Sequence, residues 1–140
     1  MGLFSKLFGS SEPESKAPSV PNGASTREII EIAVQAVIQE AGGNCATLES
    51  PTDSDKWIQI MDTTINCHYP HGESPETRFP ELLGRPIVAA LDSFESELFM
   101  TVSLQGMDPS KIADWIIDYF SAVLAIDTDK YRLRLRMEKL

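Results

Sequence analysis

Apolar residues recur along this chain in two rhythms, one helical and one of alternating strands. Ile29, Ile30, Ile32, Ala33, Val34, Ala36, Val37 and Ile38 surround a polar stripe of Glu28, Glu31, Gln35 and Gln39. That spacing predicts an amphipathic helix. Ser25 with Glu28 three residues on predicts a capping box at its start, and Gly42-Gly43 predicts its end. A second helix is predicted from Asp108, with Pro109 in the first turn and Lys111, Asp114, Asp118 and Ser121 as its polar stripe. Asp127-Thr128-Asp129 is expected to break it.

The rest reads as strands. Asn44 to Glu49 is one, and Pro51 to Asp55 is turn chemistry. Lys56 to Tyr69 reads as a single long extended segment. Ile87 to Leu91 is a short apolar strand, with a turn from Asp92-Ser93 to Ser96. Leu98, Met100, Val102 and Leu104 alternate with Phe99, Thr101 and Ser103. Tyr131, Leu133, Leu135 and Met137 alternate with Arg132, Arg134, Arg136 and Glu138. The expected fold is α+β, in the order α-β-β-β-β-α-β. It has one mostly antiparallel sheet of about five strands and two amphipathic helices on one face. Both helices carry apolar arcs wider than one sheet contact needs, which motivates an expectation of a homodimer.

Residues 26–140 form the expected single domain, preceded by a leader over 1–25. The leader opens with Leu3, Phe4, Leu7 and Phe8 around Lys6, a short apolar plug over 1–9. Pro13, Pro18 and Pro21 among serines follow as a flexible tether. Four large side chains offer at most ~6–12 kcal/mol of gross burial, most of it offset by ordering so short a segment. The plug is therefore expected to make weak, reversible contacts with a partner groove or a membrane surface. A second long connection, residues 70–86, carries Pro70, Pro75, Pro80 and Pro86. Its length marks it as functional or disordered.

Charge divides the 140 residues unevenly. The net charge of -9 resolves into a neutral leader, -12 over residues 26–127 and +3 over the last 13. Nucleic acid is excluded as a main partner of so acidic a body. No stretch approaches a membrane span and no secretory signal opens the chain, so a cytoplasmic protein is expected. Arg132, Arg134 and Arg136 stand in one row. They are read either as a strand beside acidic neighbours or as an anion-binding face.

Candidate chemistry is sparse. Cys67-His68-Tyr69-Pro70-His71 holds both histidines, and Cys45 is the other thiol. Cys67, His68 and His71 are the only candidates for a metal site, which needs converging donors. Cys67 and His68, as neighbours in a strand, point to opposite faces. A hairpin at 51–55 puts Cys45 opposite about residue 60 and, on a continuous strand, about 23 Å from Cys67. Both cysteines are thus expected to be packing residues, with the histidines exposed at the loop entrance. Trp57, Trp115, Tyr119 and Phe120 are expected to be core. No nucleophile elbow, phosphate loop or dinucleotide turn is present, so no catalytic residue and no cofactor is assigned.

These features point to a non-enzymatic protein-interaction module, a small acidic adaptor or chaperone-like protein. The alternative is a ligand- or metal-binding domain, or weak enzyme, centred on Cys67 to Pro86. In size, acidity and helix–strand order, residues 26–140 resemble the type III secretion chaperones. That resemblance implies a partner-binding role, although this chain ends in a strand where that family ends in a helix.

Overall fold

The computed structural model describes residues 20–39, 44–61, 64–83, 90–103 and 108–139. Helix α1 (Thr26–Val34) continues as a π-helical turn, Gln35–Gln39. Three strands follow: β1 (Asn44–Glu49), β2 (Trp57–Met61) and β3 (Thr64–His68). A short helix α2 (Pro75–Arg78) and a 3-10 turn (Pro80–Leu82) come next. Strands β4 (Ala90–Glu95) and β5 (Phe99–Ser103), helix α3 (Pro109–Ala122) and strand β6 (Arg134–Lys139) complete the chain. The six strands form one sheet in the order β4-β5-β3-β2-β1-β6, every neighbouring pair antiparallel. The fold is the expected α+β arrangement with six strands rather than about five.

The extra strand comes from the segment read as one long strand, 56–69. It folds back on itself, pairing Ile60 with Ile65 and Ile58 with Cys67. Burial explains why. Ile58 and Ile60 are buried at even positions, Ile65 and Cys67 at odd ones. One continuous strand would send the second pair to the opposite face. The β4–β5 turn also moves. Asp92-Ser93 does not reverse the chain, because the edge strand absorbs the extra residue as a bulge between Leu91 and Ser93. The reversal falls at Ser96–Leu98, where Glu97 adopts φ 61°. Gly42, Gly43 and the start of the predicted 87–91 strand lie outside the described residues.

Both long helices start as their caps dictate. The Glu28 amide donates to Ser25 Oγ at 3.1 Å and the Ser25 amide to Glu28 Oε1 at 2.8 Å. The Lys111 amide donates to Asp108 Oδ1 at 3.0 Å, and that bond holds the Asp108 carboxyl below its usual range. Helix α3 ends before Asp127: Ala125 turns left-handed at φ 56° and the Ile126 amide closes back on the Phe120 carbonyl.

The core lies between the sheet and the two helices. Ala46, Leu48, Ile58, Ile60, Ile65, Cys67, Met100 and Val102 supply the sheet side. Ile29, Ile30, Ala33, Trp115, Ile116, Tyr119 and Phe120 supply the helix side. The helices also pack on each other, with Arg27 of α1 bonded to Asp114 of α3 at 2.6 Å. The wide apolar arcs that motivated the dimer expectation are thus consumed within one chain, by sheet and partner helix together.

Part of the proline-rich connection is core. Pro75, Phe79, Leu82 and Leu83 are buried, and Trp115 Nε1 donates to the Leu82 carbonyl at 2.6 Å. Proline fixes φ at the start of each short turn, so residues 75–82 close one end of the core. Trp115→Phe leaves the Leu82 carbonyl without its donor and opens a small void. Denaturant unfolding is expected to show a loss of about 1–3 kcal/mol, with faster amide exchange concentrated in residues 79–83.

Candidate functional site

The strict alternation of side chains in a strand sends every second residue of the sheet away from the helices. Among the described residues, no helix covers that outer face. Its rows follow from the register. One runs Arg134, Glu49, Trp57, His68, Phe99, Glu95 across the six strands. A second runs Arg136, Thr47, Gln59, Asn66, Thr101, Ser93, and a third Glu138, Cys45, Met61, Thr64, Ser103.

The three central strands, β2, β3 and β5, therefore present Trp57, Gln59, Met61, Thr64, Asn66, His68, Phe99, Thr101 and Ser103. None of these carries a formal charge with histidine neutral, in a chain whose residues are 24% charged. All nine are half-buried. Trp57 and His68 rings lie 6.3 Å apart, and Thr101 Oγ1 donates to Asn66 Oδ1 at 2.6 Å. An outer sheet face meeting only water is normally polar and charged. Loss of charge with gain of aromatics and methionine is instead the composition found at the core of protein interfaces.

Charge returns at the two edges. Glu49 is buried and accepts from Arg134 and Arg136, each at 2.9 Å, while both arginines stay more than half exposed. Glu138 stands on the same face of β6, so two guanidinium groups and two carboxylates make this edge charged and balanced. Arg132 lies before the strand and donates to the Pro21 carbonyl at 3.1 Å, so it does not extend an arginine row along β6. The opposite edge is acidic, with Asp92, Glu95 and Glu97 all exposed.

The candidate metal residues diverge. Cys67 faces the helices, fully buried, and burial pushes its thiol well above the usual range. His68 faces the opposite way. His71 sits in the connection, where its Nε2–H donates to the Val123 carbonyl at 3.0 Å and its ring packs 5.1 Å from Phe79. No group of three His, Cys, Asp or Glu side chains converges among the described residues. The expectation of histidines exposed at the loop entrance is corrected, since both are half-buried and held by neighbours.

The antiparallel pairing of β2 with β3 also shortens the cysteine separation to roughly 10 Å both across and along the sheet. The two thiols sit on opposite faces, both free. Burial, then the charge of Glu138, pushes the Cys45 thiol up. Neither is a ready nucleophile.

Trp57 was expected in the core with Trp115, Tyr119 and Phe120. Those three are buried, but Trp57 stands on the outer face. Its odd position beside even-numbered Ile58 and Ile60 was the available signal. Leu3, Phe4, Leu7 and Phe8 lie outside the described residues. No protein-family model matches this chain, and no curated protein or solved structure does. Fold and face together define an α+β domain with a one-sided core and an outer sheet face whose three central strands are uncharged.

Two substitutions probe the β1–β6 edge of that face. The buried Thr47 hydroxyl, 4% exposed, has no hydrogen-bond partner among the described residues. Thr47→Val keeps the shape and removes the unpaired group, and thermal unfolding is expected to show a gain of about 1 kcal/mol. Glu49→Gln removes both ion pairs. Exposure of the arginine ends limits the expected loss to about 1 kcal/mol, shrinking in high salt, with faster amide exchange in β6.

Proposed function

We propose that this protein is a non-enzymatic protein-interaction module, an acidic adaptor or chaperone-like domain acting through its outer sheet face. One observation carries the reading: the uncharged, aromatic-bearing surface of β2, β3 and β5, bounded by charge at both sheet edges. A flat face of half-buried Trp57, Gln59, Asn66, His68, Phe99 and Thr101 gives a polypeptide apolar area together with amide and hydroxyl groups for orientation. The buried, protonated Cys67 and the divergent histidines add no chemistry to it.

A photo-cross-linking phenylalanine analogue in place of Asn66, at the centre of the face, tests this in cells that make the protein. Adducts to polypeptide are expected from position 66 and not from Asp118 on the exposed side of α3. Adducts only from position 118, or none from either, would overturn the reading.

A further inference from the structure

We propose that residues 1–9 of this chain dock as an apolar plug into a groove between helix α1 and strand β6 of their own domain. The groove lies on the helix side of the sheet, so its use is independent of the outer-face reading.

The groove forms where helix α1 stops covering the sheet. On that side the inward apolar residues of β1, β2, β3 and β5 are buried, whereas Leu135 and Met137 of β6 are only half-buried. Val20, Ile29, Leu133 and Leu135, with Arg132 and Arg134 beside them, line a cavity of about 400 Å³. That volume falls within the roughly 300–1,000 Å³ of sites that enclose a small apolar group. It suits a few side chains of a short segment.

The chain's own path names the occupant. The described residues begin at Val20, and Val20 itself lines the groove, half-buried and packed against the core. Its position is fixed from the next turn. The Ala24 amide and the Arg132 guanidinium both donate to the Pro21 carbonyl, each at 3.1 Å. Residues 1–19 are therefore delivered at the groove wall.

Their sequence complements that wall. Leu3, Phe4, Leu7 and Phe8 share one side at helical spacing, with Ser5 and Lys6 on the other. Nine residues are too few for a helix to persist alone in water, so such a pattern takes shape only against an apolar surface.

Residues 10–19 join plug to groove. Ten residues have an r.m.s. span of roughly 16–19 Å and reach about 31 Å when extended. They can return the plug to the groove at an effective concentration in the millimolar range. A second copy or another protein at micromolar concentration must bind about a thousandfold more tightly to compete. The far sheet edge also leaves Leu91 and Phe94 half-buried, but it lies five strand spacings away, about 24 Å. The plug is thus held by its own domain, and a membrane or partner meets it only when it undocks.

Methyl NMR on the full chain tests this. A chain carrying Leu3→Ser, Phe4→Ser, Leu7→Ser and Phe8→Ser should shift the methyl resonances of Val20, Ile29, Leu133 and Leu135. Those of Ile58, Ile65 and Val102 should stay in place. Diluting the parent should not reproduce the shifts. Leu135→Asp should release the plug. A plug docked four-fifths of the time is protected about fivefold, so chymotryptic cleavage after Phe8 should accelerate about fivefold in this variant. Far-UV circular dichroism establishes that Leu135→Asp is folded; if it is not, the leader substitutions decide alone.

Groove methyls unmoved by the leader substitutions would overturn the inference. So would shifts confined to Met61 and Thr64 on the outer face, or cleavage of folded Leu135→Asp at the parent rate. Parent resonances that move to the variant positions on dilution would overturn it too, giving the groove to the leader of a second copy.

Discussion

One sheet with helices on a single side imposes the constraint from which the rest follows. Side chains alternate along each strand, so committing Ile58, Ile60, Ile65, Cys67, Met100 and Val102 to the helices commits an equal number of residues to the other face. That second set cannot be chosen freely. It sits on the same strands, pairs with the same neighbours and is half-buried by them. A chain rich in acidic residues could have placed them there, and the nine central positions carry none. The helices themselves have little spare apolar surface, because α1 covers both sheet and α3 while α3 also holds the 79–83 segment through Trp115.

Electrostatics sorts with the same geometry. The acidic body puts its charge on helix stripes, turns and the β4 edge. The basic C-terminal strand adds itself at the far edge, next to β1, where Glu49 bridges Arg134 and Arg136. This carboxylate is buried while its partners are exposed, so its value is mainly positional. It ties the last strand to the sheet and gathers charged side chains along one border. The +3 of the last 13 residues therefore serves register and edge character together, and Arg132, bonded to Pro21 instead, does not take part.

How much of this was legible in the sequence depended on whether a rule was local. Capping chemistry at Ser25 and Asp108 and the alternation of the last strand follow from neighbouring residues, and the structure repeats them. The antiparallel pairing of β2 with β3 left a quieter trace, a change in parity between Ile60 and Ile65, which a reading of overall extension passes over. The same parity separates Trp57 from the core and Cys67 from His68. Asp92-Ser93 carried turn chemistry that an edge strand could absorb as a bulge, and local propensity could not foresee that choice. The outer face was not legible at all, because its rows assemble from five or six separate strands and only register reveals them.

The edges of the sheet bear on how such a face is used. An exposed strand edge offers unpaired amides and carbonyls to any passing strand, which would compete with association through the face. Here both edges are defended. β6 carries Arg134, Arg136 and Glu138 along its outward side, and charged side chains on an edge strand disfavour the addition of another strand. β4 is irregular, with its register broken between Leu91 and Ser93, and exposes Asp92 and Glu95. Strand addition is disfavoured at each border by a different device, one of charge and one of shape. The broad face between the edges has neither device. A sheet that blocks its rims leaves its uncharged, aromatic-bearing centre as the broad surface without such a device.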